Sequence, residues 1–185
     1  MMVSTRGKVR IIGGEWRSRL LTFPDYSDLR PTANRIRETV FNWLGQDLSG
    51  LNCLDLFAGS GALGFEAASR GAKRVVMVED DARAYAALRE NKTRLSAIQV
   101  ELLKMNALAF LQSDVRQFDL IFLDPPYRLE LLPTLLPLLP VHLEKDGTVY
   151  IETQGNGCSD KAWNVTRSGR AGKVCYQLLE LVSHG

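Results

Sequence analysis

The sequence contains few of the residues that support metal chemistry or nucleophile relays. Its 185 residues include two histidines, His142 and His184, and three cysteines, Cys53, Cys158 and Cys175. Neither residue type shows the spacing of a metal site, and no C-x-x-C pair is present. An odd number of widely spaced cysteines predicts buried thiols in a reducing compartment rather than disulfides. We therefore expect no metal and no catalysis through a histidine relay.

A long hydrophobic run is also missing. The most apolar stretch, 129–143, is interrupted by Pro133, Pro137 and Pro140, and it is shorter than the roughly 20 residues of a membrane-spanning helix. The N-terminal residues have no apolar core of signal-peptide length. These absences predict a cytoplasmic protein without membrane contact. The composition, 45% hydrophobic and 24% charged, is typical of one soluble globular domain.

Positive charge is concentrated near the N-terminus, although the net charge is only +2. Residues 1–40 have eight Lys and Arg against four Asp and Glu, whereas residues 41–185 have fifteen against seventeen. Within the basic segment, 9–12 and 17–21 predict two short strands around a Gly-Gly turn, with Arg10, Arg17 and Arg19 on one face. This asymmetry indicates contact with a polyanion, although a solvated hairpin without a partner would give the same pattern.

From Leu51 onward, buried strands alternate with helices. The predicted strands are 51–57, 74–78, 98–103, 118–123 and 148–151, and the predicted helices are 62–69, 82–95 and 107–111. This alternation is typical of a parallel sheet with crossover helices. A helix around Ile36 and Val40 precedes it, and 163–166 with 174–182 predicts a C-terminal antiparallel hairpin around a turn at 168–172. We divide the chain into an N-terminal extension, 1–48, and a core, 49–185.

A glycine-rich loop follows the first predicted strand of the core. The segment from Asp55 to Gly64, DLFAGSGALG, contains a G-x-G-x-x-G, which lets the backbone approach a ligand at the start of a helix. Alone, this pattern also fits a dinucleotide site or a tight turn without a ligand. Glu79 ends the next strand, where a carboxylate can accept ribose hydroxyls. Asp55 favours S-adenosylmethionine, because a carboxylate before the loop would repel a pyrophosphate but attract a sulfonium and an ammonium.

The same loop resembles the first motif of the Rossmann-like class I methyltransferases. The resemblance implies an α/β fold with a seven-stranded, mostly parallel sheet, flanked here by the N-terminal hairpin and helix and by the C-terminal antiparallel hairpin. It also implies that the glycines cover the methionine part of S-adenosylmethionine, that Glu79 holds the ribose, and that Asp80 and Asn106 border the adenine. The expected cofactor-binding residues are Asp55, Phe57, Ala58, Gly59, Ser60, Gly61, Glu79, Asp80, Asn106, Ala107 and Asp124.

The segment Asp124-Pro125-Pro126-Tyr127 predicts the catalytic centre. Pro125 biases Asp124 towards an extended conformation, and the two prolines supply no N–H donors. The Asp124 carboxylate and the Pro125 carbonyl could each accept one N–H of a nucleobase amine, while Tyr127 stacks on the base. D-P-P-Y after a strand resembles the motif of nucleobase amino-methyltransferases, and it occurs with adenine, cytosine and guanine. A proline-stiffened loop with a half-buried tyrosine is the alternative.

The N-terminal segment narrows the substrate. The stretches VRIIGGEWR at 9–17 and LRPTANRIRETVFNWL at 29–44, together with the two motifs above, resemble the bacterial RsmD family over nearly the whole chain. The resemblance implies transfer of a methyl group to the 2-amino group of one guanine in 16S ribosomal RNA. We expect a monomer that acts on the assembling small subunit, although the sequence leaves naked RNA and other oligomeric states open. Ala33-Asn34 departs from the family, in which an acid often precedes the arginine.

Two interpretations remain beside this one. An amino-methyltransferase for adenine or another base, in RNA or DNA, would share everything from Leu51 onward. A nucleotide-binding oxidoreductase or a noncatalytic RNA-binding module would differ in its ligand.

Basic side chains of the N-terminal segment would contact RNA phosphates, which is a sequence-independent contribution to binding. The expected RNA-binding residues are Arg10, Arg17, Arg19, Arg30, Arg35 and Arg37.

Overall fold

The computed structural model describes residues 6–25, 34–126 and 130–183. The helices are α1 Asn34–Leu44, α2 Ala62–Ser69, α3 Ala82–Leu95, α4 Ala107–Ser113 and α5 Leu132–Leu135. The strands are β1 Arg6–Arg10, β2 Leu20–Pro24, β3 Asn52–Asp55, β4 Arg74–Glu79, β5 Val100–Lys104, β6 Phe118–Leu123, β7 Leu143–Gln154, β8 Trp163–Ala171 and β9 Val174–Leu181. Two 3₁₀ turns, at 136–138 and 140–142, follow α5, so the proline-interrupted leucine run forms short helical pieces.

Seven strands form one sheet in the order β5-β4-β3-β6-β7-β9-β8. The first five pair in parallel, and β9 and β8 join them as an antiparallel hairpin. The chain winds outward from β3 to β5 and then returns to the other side of β3 with β6. The strand order therefore reverses between β3 and β6, which is where open α/β sheets bind their ligands, at the carboxyl ends of the strands. The predicted fold class is confirmed.

Two hydrophobic cores cover the two faces of the sheet. One core contains β1, β2, α1, α2 and α3 together with inward side chains such as Phe122 and Tyr150, and the other contains α4 and the segment around α5. Alternate residues of each strand point to opposite faces. In β6, Leu120 and Phe122 therefore join the first core, whereas Ile121 and Leu123 join the second. This alternation fixes which strand-end side chains share a face.

The N-terminal hairpin differs from its prediction. The paired strands are Arg6–Arg10 and Leu20–Pro24, so the expected Gly-Gly turn is wrong, and 11–19 form a longer connection that contains Arg17 and Arg19. Side chains and backbone groups of two core helices bind this region. The buried Asn91 amide of α3 pairs with the backbone of Thr22, donating to its carbonyl at 2.9 Å and accepting from its N–H at 3.3 Å.

A buried ionic cluster connects the hairpin to α2. The Glu66 carboxylate accepts from the backbone N–H groups of Ile12 and Gly13, at 2.9 and 2.8 Å, and from the guanidinium groups of Arg37 and Arg70, at 3.2 and 3.0 Å. The Glu66 and Arg37 side chains have no exposed surface. A buried charge needs such compensation, because an unpaired one costs several kcal/mol. The N-terminal segment is therefore bound to the helix that follows the glycine loop.

The C-terminal hairpin also has different bounds. Strand β8 extends to Ala171, so the turn lies at 172–173 rather than at 168–172. Strand β7 is longer than the predicted 148–151, because its first residues pair with Phe118 across an irregularity in the register. Over 6–25, 34–126 and 130–183, no helix combines the length and apolar character needed to cross a bilayer.

Candidate active site

The ends of neighbouring parallel strands bring the two sequence motifs together. Asp55 is the last residue of β3 and pairs in register with Phe122 of β6, two residues before Asp124. Glu79 ends β4, which pairs with β3 on its other side. Asn106 follows β5, the next strand outward. The predicted residues thus lie along one edge of the sheet, on both sides of the point where the strand order reverses.

Asp55 is a buried carboxyl group at the start of this edge. Its side chain is 1% exposed, and its Oδ2 accepts from the Gly64 N–H of α2 at 3.0 Å. Burial raises the pKa of Asp55 to about 7, and the Gly64 hydrogen bond opposes the shift while the nearby Glu79 adds to it. A cation next to Asp55 would reverse the shift, because an opposite charge favours the ionised form.

The glycine loop is closed around its own backbone and around Glu79. The Gly61 N–H donates to the Ala58 carbonyl at 2.7 Å, and the Gly59 N–H donates to Glu79 Oε2 at 2.7 Å. Gly61 has a φ of 83°, and a Cβ there would lie 2.5 Å from the Phe65 ring. Only glycine fits this position, because the left-handed conformation and the close approach both exclude a side chain.

Glu79 retains capacity for a ligand. Its second oxygen, Oε1, accepts from the Asp81 N–H at 3.1 Å. Burial raises the pKa of Glu79, and the hydrogen bonds from Asp81 and Gly59 oppose this rise. A carboxylate has about four acceptor positions, so the hydrogen bonds from the backbone of Gly59, Asp80 and Asp81 leave room for a ribose hydroxyl. The Glu79 carboxylate could therefore accept a hydrogen bond from a nucleoside at this strand end.

The residues predicted to border the adenine lie at the outer part of the edge. Asp80 is exposed directly after β4, and Ala107 is buried at the start of α4. Asn106 caps α4, and its Oδ1 accepts from the N–H groups of Leu108 and Ala109 at 2.9 and 3.3 Å. The oxygen of Asn106 therefore has a structural role in addition to the predicted one.

The rest of the predicted cofactor set occupies the loop itself. Phe57 is half-buried, Ala58 is buried and its N–H donates to the Val78 carbonyl at 3.0 Å, and the buried Ser60 accepts from the Ala62 N–H at 3.3 Å. These contacts hold the loop, which connects β3 to α2, against the end of β4.

The D-P-P segment follows β6 at the same edge. Asp124 is half-buried, Pro125 is buried and Pro126 is half-buried. Phe122, two residues earlier, faces the core that contains α1 and α2. Continuation of the β6 alternation by one residue past Leu123 would direct Asp124 to the face that Asp55 occupies. Tyr127, predicted to stack on the base, lies outside the described residues.

Arg19, one of the predicted RNA-binding arginines, lies away from the glycine loop. Arg10, Arg17, Arg19 and Arg35 are exposed, and Arg30 lies outside the described residues. Arg19 donates to the Arg94 carbonyl at 3.0 Å, which places it at the carboxyl end of α3. The glycine loop and Asp81 lie at the amino ends of α2 and α3. Because α3 has 14 residues, its two ends are about 21 Å apart.

The structure contradicts the predicted RNA contact of Arg37. This residue was expected to contact RNA, but its side chain is fully buried in the ionic cluster with Glu66, and it also donates to the Arg10 carbonyl at 2.9 Å. Burial lowers the pKa of the Arg37 guanidinium, and Glu66 opposes the shift. A guanidinium held in this way cannot reach a phosphate, so the prediction for Arg37 is wrong.

Two acidic residues escaped the sequence reasoning. Glu66 stands in an otherwise apolar helix, ALGFEAAS, whose eight residues are all buried, and a charge in such a segment signals a buried partner. Glu152, 5% exposed, lies near the end of β7. No pattern in the sequence distinguishes it, because its neighbours are set by the strand order.

Comparison with known proteins identifies the family of this chain. The family model described as "Conserved hypothetical protein 95" matches residues 9–180. A relative from Escherichia coli, named "Ribosomal RNA small subunit methyltransferase D", is 38% identical over 187 residues, covering 98% of this chain and 94% of the relative. The chain belongs to the RsmD family.

Other members agree over the same length. A Haemophilus influenzae relative of the same name is 38% identical, with 96% of each chain covered. The solved structure of yhhF from Escherichia coli superposes with a TM-score of 0.84 at 38% identity, covering 95% of this chain and 98% of that one. The likeness to this family includes the N-terminal segment as well as the sheet, because nearly the full length of each chain is matched.

Proposed function

We propose that this protein transfers a methyl group from S-adenosylmethionine to the 2-amino group of a guanine in 16S ribosomal RNA, in the cytoplasm. The observation that carries the proposal is the register of β3 and β6, which brings Asp55 and the glycine loop beside Asp124-Pro125-Pro126. The names of the RsmD relatives support the polymer. The base rests on the family resemblance.

The residues of the β3 and β4 ends fit the methyl donor. Asp55 would accept from its ammonium group, and Glu79 would accept from a ribose hydroxyl. The left-handed Gly61 would let the backbone lie close to it. When bound, S-adenosylmethionine supplies a methyl group on a positively charged sulfur, and this sulfur becomes the neutral thioether of S-adenosylhomocysteine when the methyl group is transferred. None of the contacts requires a phosphate, which distinguishes this arrangement from a dinucleotide site.

Asp124 and Pro125 would prepare the nucleophile. An exocyclic amine is a weak nucleophile, because its lone pair is delocalised into the ring. If the Asp124 carboxylate and the Pro125 carbonyl each accept one N–H, the nitrogen becomes more pyramidal and its lone pair points at the methyl carbon. A C–N bond forms as the C–S bond breaks, and the amine, then positively charged, loses a proton that Asp124 can accept. Positioning supplies much of the rate in such an arrangement.

The exposed arginines would bind RNA away from the target base. The Arg10, Arg17 and Arg19 guanidinium groups would neutralise phosphates at the hairpin, and Arg35 and the segment containing Arg30 would do so at the start of α1. We propose 1–48 as the main RNA contact and 49–185 as the catalytic core. The guanine would leave the stack to reach Asp124, which unpaired loop nucleotides permit at low cost. We also propose that a monomer acts, without a metal, on the assembling subunit.

A methylation assay tests the proposal. The protein would be incubated with labelled S-adenosylmethionine and small ribosomal subunits that lack the modification, and the product would be mapped to a nucleotide and an atom. Label on the 2-amino group of a guanine supports the proposal. Label on adenine or on DNA would contradict the base or the polymer, and failure to bind S-adenosylhomocysteine in calorimetry would contradict the cofactor.

Two substitutions of Asp124 test the mechanism. Asp124→Ala removes both acceptor oxygens and should reduce transfer by at least 100-fold while S-adenosylhomocysteine binding is largely kept. Asp124→Asn keeps one acceptor but loses the charge, so it should retain more activity than Asp124→Ala. Full activity in Asp124→Ala would refute the assigned role.

A further inference from the structure

We propose that Glu152 selects guanine by accepting a hydrogen bond from the N1–H of the base, next to the amine that Asp124 holds. This inference rests on the proposed methylation of a guanine amine and names the residue that would discriminate among bases. Glu152 was not among the predicted site residues, and it lies on a strand that carries neither motif.

Strand register places Glu152 beside Asp124. Strands β6 and β7 are parallel, and Leu123 pairs with Ile151. That is the last paired position between the two strands, and Asp124 and Glu152 directly follow it. Neighbouring strands lie about 4.8 Å apart, so the two residues continue from adjacent positions at the carboxyl end of this strand pair.

Side-chain alternation places both carboxyl groups on one face. Phe122 and Tyr150, two residues before each, have ring centroids 6.1 Å apart and belong to the same core. Residues two positions apart in a strand point to the same side. Glu152 therefore faces the side on which Asp55 binds Gly64, where the methyl donor is proposed to lie, and Asp124 would face the same side if the β6 alternation continues by one residue.

The surroundings of Glu152 are buried and aromatic. Glu152 is 5% exposed, and it pairs with the buried Tyr176 on the neighbouring strand β9. The Tyr176 ring stacks on Trp43 of α1, with ring centroids 5.3 Å apart. A carboxylate with little access to water forms stronger hydrogen bonds with a ligand than an exposed one does. This corner between β6, β7 and α1 therefore suits recognition of a flat, polar base edge.

The chemistry of the bases gives the selection. In guanine, the 2-amino group is flanked by N1–H, which is a donor. In adenine and cytosine, the amine is flanked by a ring nitrogen with a lone pair, N1 or N3. A carboxylate next to the amine site would accept from guanine but would repel that lone pair. A site built to pair with a substrate donor rejects analogues that lack it far more strongly than a hydrophobic pocket can.

A substrate analogue tests this contact. 2-Aminopurine keeps the 2-amino group but has a lone pair at N1 and lacks the O6 of guanine, so the comparison is completed by the variant described below. Small subunits would be reconstituted from 16S RNA with guanine or 2-aminopurine at the methylated position, and kcat/KM would be measured for each. The wild-type protein should prefer guanine by at least 100-fold. A preference below 10-fold would overturn the proposal.

Glu152→Gln should change the preference and not only the rate. The variant should methylate guanine about 10-fold more slowly, because a neutral amide oxygen replaces the charged acceptor of the N1–H. Its amide can donate to the lone pair of 2-aminopurine, so the preference should fall to within 10-fold. Equal losses on both substrates would indicate a structural role and would refute base selection.

Controls separate this inference from the proposed function. Glu144→Gln changes an exposed glutamate at the other end of β7 and should leave rate and preference unchanged. All three proteins should bind S-adenosylhomocysteine equally, because none of the proposed cofactor contacts lies on β7. If the wild-type protein methylates no guanine, the proposed function fails. If it methylates guanine and 2-aminopurine alike, only the role of Glu152 fails.

Discussion

Replacement of Asp55 by Asn would test the buried charge before the glycine loop. Burial raises the pKa of Asp55 to about 7 from an ordinary value of 3.8, so the folded chain holds this proton more tightly than the unfolded chain does. The resulting stabilisation is fully present below about pH 4 and is lost as the pH rises to about 7. Above pH 7, the folded state bears the whole cost of an ionised, buried carboxylate.

The magnitude follows from the shift. One pKa unit corresponds to about 1.4 kcal/mol, so a rise of about 3 units destabilises the fold at pH 8 by about 4 kcal/mol relative to the protonated form. Between pH 5 and pH 8, the change is about 3 kcal/mol. An asparagine keeps an oxygen for the Gly64 N–H but never ionises. The variant should lack this part of the pH dependence.

Urea unfolding at pH 5 and pH 8 would measure it. We expect the free energy of unfolding of Asp55→Asn, relative to the wild-type protein, to increase by about 3 kcal/mol between the two pH values. Ionisable groups that do not interact with Asp55 contribute equally to both proteins and cancel. A difference that stays constant within about 1 kcal/mol would show that Asp55 does not titrate in this range and would refute the reasoning.

Cofactor binding should respond in the opposite direction. An ammonium group needs the ionised form of Asp55, so the affinity of the wild-type protein for S-adenosylhomocysteine should fall as the pH drops below 7, by up to about tenfold per unit. Asp55→Asn should bind more weakly at pH 8 and show no such dependence. Asp119→Asn is the control, because Asp119 accepts from the Asn52 N–H at 2.8 Å at the other end of the sheet. Equal binding by Asp55→Asn and the wild-type protein at pH 8 would exclude an ammonium contact.

Three further changes test other parts of the structure. Glu66→Gln should lower the free energy of unfolding by about 3–5 kcal/mol, because two buried guanidinium groups lose their counter-charge, whereas Glu101→Gln, in a partly exposed ion pair, should cost at most about 1 kcal/mol; equal losses in urea unfolding would contradict the buried cluster. Gly61→Ala and Gly50→Ala both place a side chain at a φ of 83°, but only the first meets neighbouring atoms, so calorimetry should show S-adenosylhomocysteine binding lost only in Gly61→Ala. Arg10→Ala should lower the slope of log affinity for 16S RNA against log salt by about one, and an unchanged slope would remove Arg10 from the RNA contact.

Several strands and helices of the core could be predicted from sequence, because local patterns specify them. The predicted bounds of α2 and α3, 62–69 and 82–95, agree with the structure. Strand β7 was predicted too short, since its exposed residues 144–146 carry charges without alternation. The predicted turn of the N-terminal hairpin was wrong for a different reason. Gly13 belongs to a segment that docks on Glu66, and contacts made so far along the chain leave no local signal.

The site could be predicted only in so far as strand ends carry motifs. Asp55, Glu79 and Asp124 follow apolar strands in the sequence, and the carboxyl ends of parallel strands meet at one edge. Arg37 was misplaced because its partner is 29 residues away in the chain. Glu152 could not be found, because its proximity to Asp124 depends on β7 lying beside β6. Pairing between strands is a tertiary property that composition does not encode.

The proposed contacts to the cofactor and to the base occupy different parts of the sheet edge, so variants in different places should affect different kinetic constants. The proposed cofactor contacts lie at β3 and β4, the proposed base contacts lie at β6 and β7, and the two halves meet where β3 pairs with β6. Cys53, Leu54 and Asp55 are hydrogen-bonded in register with Leu120, Ile121 and Phe122, so the sheet itself would set the separation of methyl donor and amine. Changes to the packing of Phe122 should therefore lower kcat, because a small displacement of the reacting atoms is costly. Changes to the exposed arginines of the hairpin should mainly raise KM, because they lie far from this junction.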